Sequence, residues 1–387
     1  MQAIVNLKEF KKNLEFVTSI LTKNTLIFYK CVHFEADNQK LKLVASDECI
    51  TIVKTMDCEV LEAGKTAVSY ANLLDYVTGL KGNDQVEIKS ADKRFILTYR
   101  DRGIDIPINF NYSTIAIPIR EEIENNHLEF KAREIVDIFS KLKRLMSNDP
   151  DRPILNSICL KIKKDHLLFV ACDGKRVGEI YMDKSNDYNE ADEIVINKDV
   201  VNLLLKEIDT TKNRIVKLFY TKYEFTDFFI DDDIIISIKS CLFKYPNYEK
   251  AINIEPDEAV KEVEFNKLDL LEAMKICTLT KDLNKMSVRM KLSKNSNLAL
   301  FNSSLKYLQL QHFSEAEITA KVELPVYDNK IGDYNAYFRP TYMIDILYAL
   351  EGNIVKIAII EKRKSKSPLF ITEPRSKNRF LLMPLRS

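Results

Sequence analysis

Val170-Ala171-Cys172-Asp173-Gly174-Lys175-Arg176-Val177 predicts the turn of a β-hairpin around which the rest of the chain is organised. It lies between two segments with alternating apolar residues, His166–Phe169 and Gly178–Tyr181, which predict the two strands of a hairpin. The Asp173-Gly174 pair suits the turn, because both residue types accept the positive φ angles of tight hairpin turns. A single hairpin of this kind is common in proteins, so it indicates the fold only if the chain repeats it.

The hairpin recurs at about a third of the chain length. Leu43-Val44-Ala45-Ser46-Asp47 lies 126 positions earlier (Asp47 against Asp173), and Ile50-Thr51-Ile52-Val53 follows it. A weaker copy, Ala299-Leu300-Phe301-Asn302-Ser303, lies 130 positions later (Phe301 against Ala171), with a further strand predicted at 305–312. This spacing predicts three related domains rather than one large fold.

The composition favours a globular protein of several domains. The 387 residues are 46% hydrophobic, which is enough for several cores, and the net charge of +1 demands no polyanionic partner. Seven cysteines without a CxxC pair are typical of reduced thiols, so we expect a cytoplasmic protein. The N-terminus does not resemble a signal peptide, and no stretch approaches the roughly 18 apolar residues of a membrane span.

Hydrophobic periodicity predicts the same order of elements in each domain. Each unit reads as strand, helix and strands, twice over, so the predicted fold class is α+β with three tandem domains at 1–124, 125–254 and 255–387. Polar linkers at 121–126 and 253–258 separate them. The predicted helices are 8–22, 70–81, 133–147, 199–208, 267–280 and 340–350, and Leu74, Val77 and Leu80 form the expected buried side of the second.

The sequence contains no recognisable catalytic cluster, so we expect no enzyme activity, no cofactor and no metal. Gly64-Lys65-Thr66 resembles the end of a phosphate-binding loop, but Glu59 stands where that motif needs its first glycine. Asp47 and Asp173 occupy equivalent turns, which favours a turn role over catalysis. Asp231-Asp232-Asp233 is read as a solvated turn, with a metal site as the less favoured alternative.

Four motifs resemble a known family. Arg152-Pro153-Ile154-Leu155-Asn156, the Val170–Val177 stretch, Tyr245-Pro246-Asn247-Tyr248 and Leu382-Met383-Pro384-Leu385-Arg386 match, in order and spacing, the bacterial DNA polymerase III beta subunit, the sliding clamp. The resemblance implies a non-catalytic processivity factor of DNA replication. It implies a head-to-tail homodimer whose six domains close a ring on duplex DNA, with helices lining the hole and antiparallel sheets outside.

The resemblance also implies a partner-peptide cleft between the second and third domains. Replicative polymerase, clamp loader and repair proteins would dock there through short linear motifs. Leu155, Val177, Leu381 and Met383 would form an apolar floor, although ordinary core packing is the alternative reading of such residues. The positions carried over from the family are Leu155, Cys172, Gly174, Lys175, Arg176, Val177, Pro246, Tyr342, Pro368, Leu381, Met383, Pro384, Leu385 and Arg386.

Basic residues on the predicted helices suggest a DNA channel in a chain that is nearly neutral. Sliding requires phosphate attraction without base readout, so these contacts would be non-specific and sensitive to salt. The alternative is that lysines simply solvate the helices. A DNA-independent interaction scaffold built on the same repeats is the alternative function. The candidate channel residues are Lys8, Lys11, Lys12, Lys23, Arg133, Lys141, Lys143, Arg144 and Lys275.

Overall fold

The chain is organised as two compact units in a computed structural model. Unit 1 comprises 1–135 and 208–242, and unit 2 comprises 136–207 and 243–387. Side chains of 302–309 and 314–320 are not part of the description. The structure describes residues 1–21, 30–91, 93–100, 102–108, 127–185, 193–208, 210–220, 225–239, 244–255, 258–278, 287–293, 298–309, 314–327 and 329–385.

Helices and antiparallel strands alternate along the chain. The described residues also include 3-10 elements at Pro153–Leu155 and Glu361–Lys366. The helices are α1 (Leu7–Thr18), α2 (Tyr70–Gly79), α3 (Ala132–Lys143), α4 (Lys198–Glu207), α5 (Glu249–Ile252), α6 (Lys267–Ile276) and α7 (Pro340–Ala349). The strands are β1 (Gln2–Asn6), β2 (Cys31–Asp37), β3 (Lys40–Ser46), β4 (Ile50–Asp57), β5 (Glu59–Glu62), β6 (Gly64–Ser69), β7 (Gln85–Ala91), β8 (Arg94–Tyr99), β9 (Arg102–Pro107), β10 (His127–Lys131), β11 (Ser157–Ile162), β12 (His166–Cys172), β13 (Arg176–Asp183), β14 (Glu193–Asn197), β15 (Ile215–Tyr220), β16 (Phe225–Ile230), β17 (Ile234–Lys239), β18 (Val260–Asn266), β19 (Val288–Leu292), β20 (Leu298–Gln309), β21 (Ser314–Pro325), β22 (Tyr334–Phe338), β23 (Ile354–Ile360), β24 (Leu369–Thr372) and β25 (Arg379–Leu382).

The order of elements repeats six times, as a strand, a helix and a three-strand meander. The six copies begin with β1, β6, β10, β14, β18 and β22. The first strand of each copy pairs with the meander of its companion copy, as β1 does with β7 and β6 with β2. The predicted α+β fold class, with a repeated unit of strand, helix and strands, is therefore confirmed. The domain boundaries at 124 and 254 stay predictions.

In the described part of the chain, this exchange of strands forms four sheets. In unit 1, sheet A has the order β5-β1-β7-β8-β9 and sheet B the order β10-β15-β16-β17-β4-β3-β2-β6. In unit 2, sheet C has the order β14-β11-β12-β13-β25-β24-β23-β18 and sheet D the order β21-β20-β19-β22. In sheets B and C the last strands of two meanders meet, at β17–β4 and β13–β25. Sheets A and D each hold one meander and end on its last strand.

Asparagine side chains start several helices. Asn6 accepts a hydrogen bond from the Glu9 amide (3.1 Å), and Asn197 accepts one from Val200 (2.9 Å). Asn266 accepts from Leu268 (2.9 Å) at the start of α6. These bonds satisfy backbone donors that have no partner within the helix. The sequence therefore fixes the point where each strand turns into the following helix.

The apolar stripes of the helices form the cores. Phe10 and Leu14 of α1 are fully buried, and the Phe34 ring stacks on Phe95 with centroids 5.3 Å apart. Phe139 of α3 meets Phe169 of β12 edge to face at 6.3 Å. The predicted stripe of α2 is displaced by one residue, because Leu73 and Val77 are buried whereas Leu74 is only half-buried.

None of the helices in the described part of the chain is long and apolar enough to cross a lipid bilayer.

The predicted third copy of the hairpin is wrong. β20 continues without a break through Asn302 and Ser303 and pairs with β21, so no turn separates 297–303 from 305–312. Asn302-Ser303-Ser304 lacks the aspartate-glycine chemistry that turns the chain in the second repeat. The meander of the fifth copy, β19-β20-β21, therefore does not turn before Gln309.

Sequence patterns also missed several short strands. β6 begins with Gly64-Lys65-Thr66, which lacks the apolar alternation that predicts a strand. β16 was missed because Thr226 and Asp227 interrupt its apolar run, and both are buried in the structure. β5, β14, β22 and the short helix α5 were also absent from the prediction.

Candidate functional site

The Asp173 hairpin connects β12 to β13 through a turn that the aspartate side chain organises. The Oδ1 atom of Asp173 accepts hydrogen bonds from the amides of Lys175 (2.8 Å) and Arg176 (2.9 Å). Gly174 has a φ of +82°, which residues with a side chain rarely adopt. The turn role predicted for Asp173 is confirmed, and only the glycine supplies a positive φ.

Arg176 is the buried anchor of this turn. Its side chain is 6% exposed. Its guanidinium donates to Asp173 Oδ2 (3.0 Å), to Asp345 Oδ2 (2.6 Å) and to the Arg144 carbonyl (2.6 Å). The Tyr342 ring lies 4.3 Å from the guanidinium carbon and adds a cation–π contact. Arg176 therefore holds the turn in place and offers few free donors to a ligand.

The carboxyl-terminal strand lies beside the turn. Arg176 pairs with Leu382 and Val177 with Leu381 in the β13–β25 ladder. The Met383 amide donates to the Lys175 carbonyl at 2.8 Å, which continues this contact beyond the strand. The Met383 side chain is 38% exposed, so a flexible apolar group stands at the surface next to the turn.

A buried apolar cluster supports the hairpin from below. Leu155, Cys172, Val177 and Leu381 are at most 7% exposed and belong to one cluster. The Tyr245 hydroxyl accepts a hydrogen bond from the Cys172 amide at 3.0 Å and fixes the end of β12. The remaining members of the cluster are Cys159, Val170, Tyr245, Tyr248, Ile252, Ala358, Ile360 and Phe370.

The titratable groups of this cluster are held in their neutral forms. Burial raises the pKa of the Cys172 thiol and is the main cause of the raised pKa of the Tyr245 phenol. A thiol that resists ionisation is a poor nucleophile. The cluster therefore suits apolar contact rather than covalent chemistry.

We call the exposed face of these elements the hairpin surface; it consists of Gly174, Lys175, Tyr342, Pro246 and the tail from Met383 to Leu385. Gly174 and Lys175 are exposed, whereas Pro246, Tyr342, Pro384 and Leu385 are half-buried. The Leu385 amide donates to the Tyr337 carbonyl at 2.7 Å and fixes the tail. Pro368 is buried beside Leu369, which pairs with Leu382. Arg386 lies outside the described residues.

Two contributors to the site were not predicted. Asp345 of α7 pairs with Arg176, and Tyr245 caps β12. Tyr245 belongs to the Tyr245-Pro246-Asn247-Tyr248 motif, so the sequence contained a signal for it. Asp345 is one of many acidic residues on helices, and no local pattern points to a partner 169 positions away.

The candidate DNA-binding residues of unit 1 lie mainly on α1. Lys8 and Lys12 are exposed, and Lys11 is half-buried with its Nζ donating to the Thr78 carbonyl at 2.5 Å. Arg133, in the first turn of α3, is exposed. Lys23 lies outside the described residues. Lys8, Lys12 and Arg133 therefore present charge to solvent.

The candidate DNA-binding residues of unit 2 differ in solvent exposure and in whether their charge is already paired with a carboxylate. Lys143, Arg144 and Lys275 are exposed. The Lys141 side chain is only 11% exposed and forms ion pairs with Asp137 and Glu351. Burial lowers the pKa of Lys141, but hydrogen bonds to these two carboxylates outweigh it and the net pKa is raised. Lys141 is charged but already engaged.

The Asp231-Asp232-Asp233 segment is a turn with paired carboxylates. Arg214 donates to Asp231 (2.5 Å) and to Asp233 (3.0 Å), and Lys54 forms a second ion pair with Asp233. Among the described residues, no group of three or more His, Cys, Asp or Glu side chains is placed to hold a metal ion. Asp231 and Asp233 therefore bind cationic side chains.

Solved structures resemble the chain over its full length. The DNA polymerase III subunit beta from Pseudomonas aeruginosa is 18% identical, with a TM-score of 0.82. Caulobacter crescentus pol III beta is 16% identical with a TM-score of 0.82, and the Helicobacter pylori beta clamp bound to a DNA ligase peptide is 19% identical with a TM-score of 0.80. Each alignment covers 100% of both chains.

No protein-family model and no curated protein sequence matches the chain. The structural matches establish that it has the fold of the DNA polymerase III beta sliding clamps. The resemblance predicted from four short motifs is thereby confirmed for the fold.

Proposed function

We propose that this protein is a DNA sliding clamp, a non-catalytic processivity factor that encircles duplex DNA as a head-to-tail homodimer. In this proposal each chain contributes three domains, with boundaries near 124 and 254, and works in the cytoplasm beside the replication machinery. The observation that carries the proposal is a pair of matching sheet edges, β9 and β21, in a chain with the clamp fold.

The two edges are equivalent to strands that are already paired within each unit. In sheets B and C the last strand of one meander pairs with the last strand of another, at β17–β4 and β13–β25. Sheets A and D end on β9 and β21, and neither strand has a partner on that side among the described residues. A second copy that pairs its β21 with this β9 would cover both edges. Because the contact joins different surfaces, two such contacts would close a ring.

The free side of β9 can be identified from its hydrogen bonds. The Ile108 amide donates to Lys93 at 2.7 Å, and the register of β9 on β8 is unbroken. Backbone groups in an antiparallel ladder alternate in direction, so the amides of Ile104 and Ile106 face β8. The amides of Gly103 and Asp105 then face away from sheet A, toward the proposed partner strand.

Asp105→Pro tests the dimer through this free side. Proline removes an outward donor and adds a ring at the edge without removing a bond to β8. We expect the dimer dissociation constant to rise at least tenfold in light scattering or mass photometry. Asp105→Ala is the matched control, because both variants lose the ion pair with Arg94 (2.7 Å) and only proline loses the amide. Equal dimer stability in both variants would remove β9 from the interface.

The proposed partner on the inside of the ring is duplex DNA, bound without base readout. Exposed cations on the helices of both units, including Lys12 and Lys143, would attract phosphates. A Lys12→Glu, Lys143→Glu double variant should load poorly and lower polymerase processivity. Lys141 is a less informative position, because it already pairs with two carboxylates. Unchanged loading and processivity in the double variant would contradict the channel assignment.

The hairpin surface is the proposed docking site for replicative polymerase, clamp loader and repair proteins. The peptide-bound Helicobacter pylori clamp supports a peptide ligand. Each apolar anchor of a peptide, if fully buried, contributes about 1.5–3 kcal/mol, and ordering the peptide costs roughly 2–5 kcal/mol. We therefore expect micromolar affinity, near −8 kcal/mol, which allows partners to exchange.

A further inference from the structure

The ring of Tyr348, on α7, contacts two cationic side chains from other segments of unit 2. The ring is 43% exposed. The Arg144 guanidinium carbon lies 4.8 Å from the ring centroid, and the Lys275 Nζ of α6 lies 5.6 Å from it. Both distances are within the range of a cation–π contact. Three separate elements therefore bring an exposed aromatic ring and two positive charges to one place.

The ring holds these cations without occupying their hydrogen-bond donors. A cation–π contact uses the face of the ring, so the N–H groups of the guanidinium and ammonium stay available. Lys141 shows the opposite arrangement, because its ammonium donates to Asp137 and Glu351. Arg176 likewise uses its donors on two carboxylates and a carbonyl.

Asp345 is an acidic group that lies close to Arg144. Its Oδ1 lies 3.9 Å from the Arg144 guanidinium, which is too long for a hydrogen bond. Its Oδ2 accepts from Arg176 at 2.6 Å, so the carboxylate charge is already compensated. Among the described residues, Arg144 and Lys275 have no hydrogen-bonded carboxylate partner. The cluster therefore has positive charge and free donors at the surface.

We propose that Arg144, Tyr348 and Lys275 form a binding site for a phosphodiester of the DNA backbone. The two cations bind the phosphate oxygens, and Tyr348 is a positioning residue that keeps them together. Guanidinium and ammonium groups are the usual phosphate ligands of proteins. This site rests on the proposed function and adds to it a residue, Tyr348, that charge alone does not identify.

The first test measures binding to a short linear duplex, which does not require a closed ring. Tyr348→Leu should weaken duplex affinity about two- to fivefold, and the slope of log affinity against log salt should fall by about one. Tyr348→Phe keeps the ring face and should retain most of the affinity. Tyr337→Leu is the matched control, because Tyr337 is also exposed and lies 5.9 Å from Arg289. An unchanged salt slope in Tyr348→Leu would overturn the proposal.

The second test reports direct contact. A photo-crosslinking benzophenone amino acid placed at position 348 should crosslink to the duplex, and the same group at position 337 should not. Equal yields at both positions would overturn the site. Retention of the unmodified protein on circular DNA tests the clamp function separately. If retention fails while the salt slope and crosslinks behave as expected, the phosphate site stands without the ring.

Discussion

The hairpins at Asp47 and Asp173 have the same backbone and different surfaces. Each turn has three residues between its strands, and each aspartate Oδ1 accepts two amides, those of Cys49 and Ile50 in the first copy. Glu48 and Gly174 share a φ of +82°. Each turn also accepts an equivalent backbone hydrogen bond from a neighbouring segment. The Lys239 amide donates to the Cys49 carbonyl (2.9 Å), and the Met383 amide donates to the Lys175 carbonyl (2.8 Å).

The side chains at matching positions separate the two copies. Ser46 and Thr51 share a hydroxyl hydrogen bond of 2.9 Å, where the second copy has the apolar Cys172 and Val177. Ile50 corresponds to Arg176, and His33 corresponds to Cys159, all at the same offset of 126 positions. The turn is therefore a property of the repeat, whereas the proposed docking surface is a property of the second copy alone.

Replacing Arg176 by the residue of the first copy should have the largest effect. Arg176→Ile leaves Asp173 and Asp345 without their cation, and we expect a loss of about 3 kcal/mol in the free energy of unfolding. Chemical denaturation at fixed protein concentration measures it. Arg152→Ala is the control, since Arg152 is 61% exposed in its pair with Asp149, and it should cost under about 0.5 kcal/mol. Equal losses would mean that Arg176 is not a structural anchor.

His33 should make the first copy sensitive to acid. Burial lowers the pKa of His33 from 6.5 to about 4, so the folded protein resists the proton that the unfolded chain accepts. Above pH 6.5 His33 should not reduce the free energy of unfolding. This free energy should then fall by roughly 3 kcal/mol as the pH drops toward 4. His33→Cys, which imports the residue of the second copy, should remove this component of the pH dependence. Parallel stability curves for both proteins would contradict the prediction.

Met383 should contribute to peptide docking but not to folding. Met383→Ala should weaken the binding of a fluorescent peptide, carrying a glutamine and two apolar anchors, by about 1 kcal/mol. The dimer mass should not change, because the side chain is 38% exposed. Leu268→Ala removes another exposed apolar side chain, on α6, and should leave the peptide affinity unaltered. If both variants bind the peptide like the parent protein, docking occurs elsewhere.

Exchanging the residues at φ +82° should give the smallest effect. Glu48→Gly should stabilise the protein by about 0.5–1 kcal/mol, because glycine adopts this conformation without a steric penalty. Gly174→Glu should destabilise it by a similar amount. Thermal unfolding of the two variants should therefore shift in opposite directions. Shifts of the same sign would show that the two turns are not equivalent.

Much of the fold could be predicted because its signals are local. The stripe Phe10, Leu14 and Val17 and the repeated aspartate turn are visible in the sequence, and four motifs identified the fold. The prediction of a third hairpin was wrong because apolar alternation alone does not show whether a strand continues. The site contacts could not be predicted in full, because Arg176 meets Asp345, and Arg144 meets Tyr348, only after segments far apart in the sequence pack together.

The most direct test of the clamp proposal is retention on closed DNA. The labelled protein is loaded onto a nicked circular plasmid with a bacterial clamp loader, isolated by gel filtration, and challenged with a restriction enzyme that linearises the plasmid. A closed ring should stay on the circular plasmid before cleavage. After cleavage it should dissociate as fast as the plasmid is linearised, because sliding carries it off the free ends. Equal retention on circular and linear DNA would contradict topological binding. No retention on the circle would contradict it as well and would favour a DNA-independent scaffold.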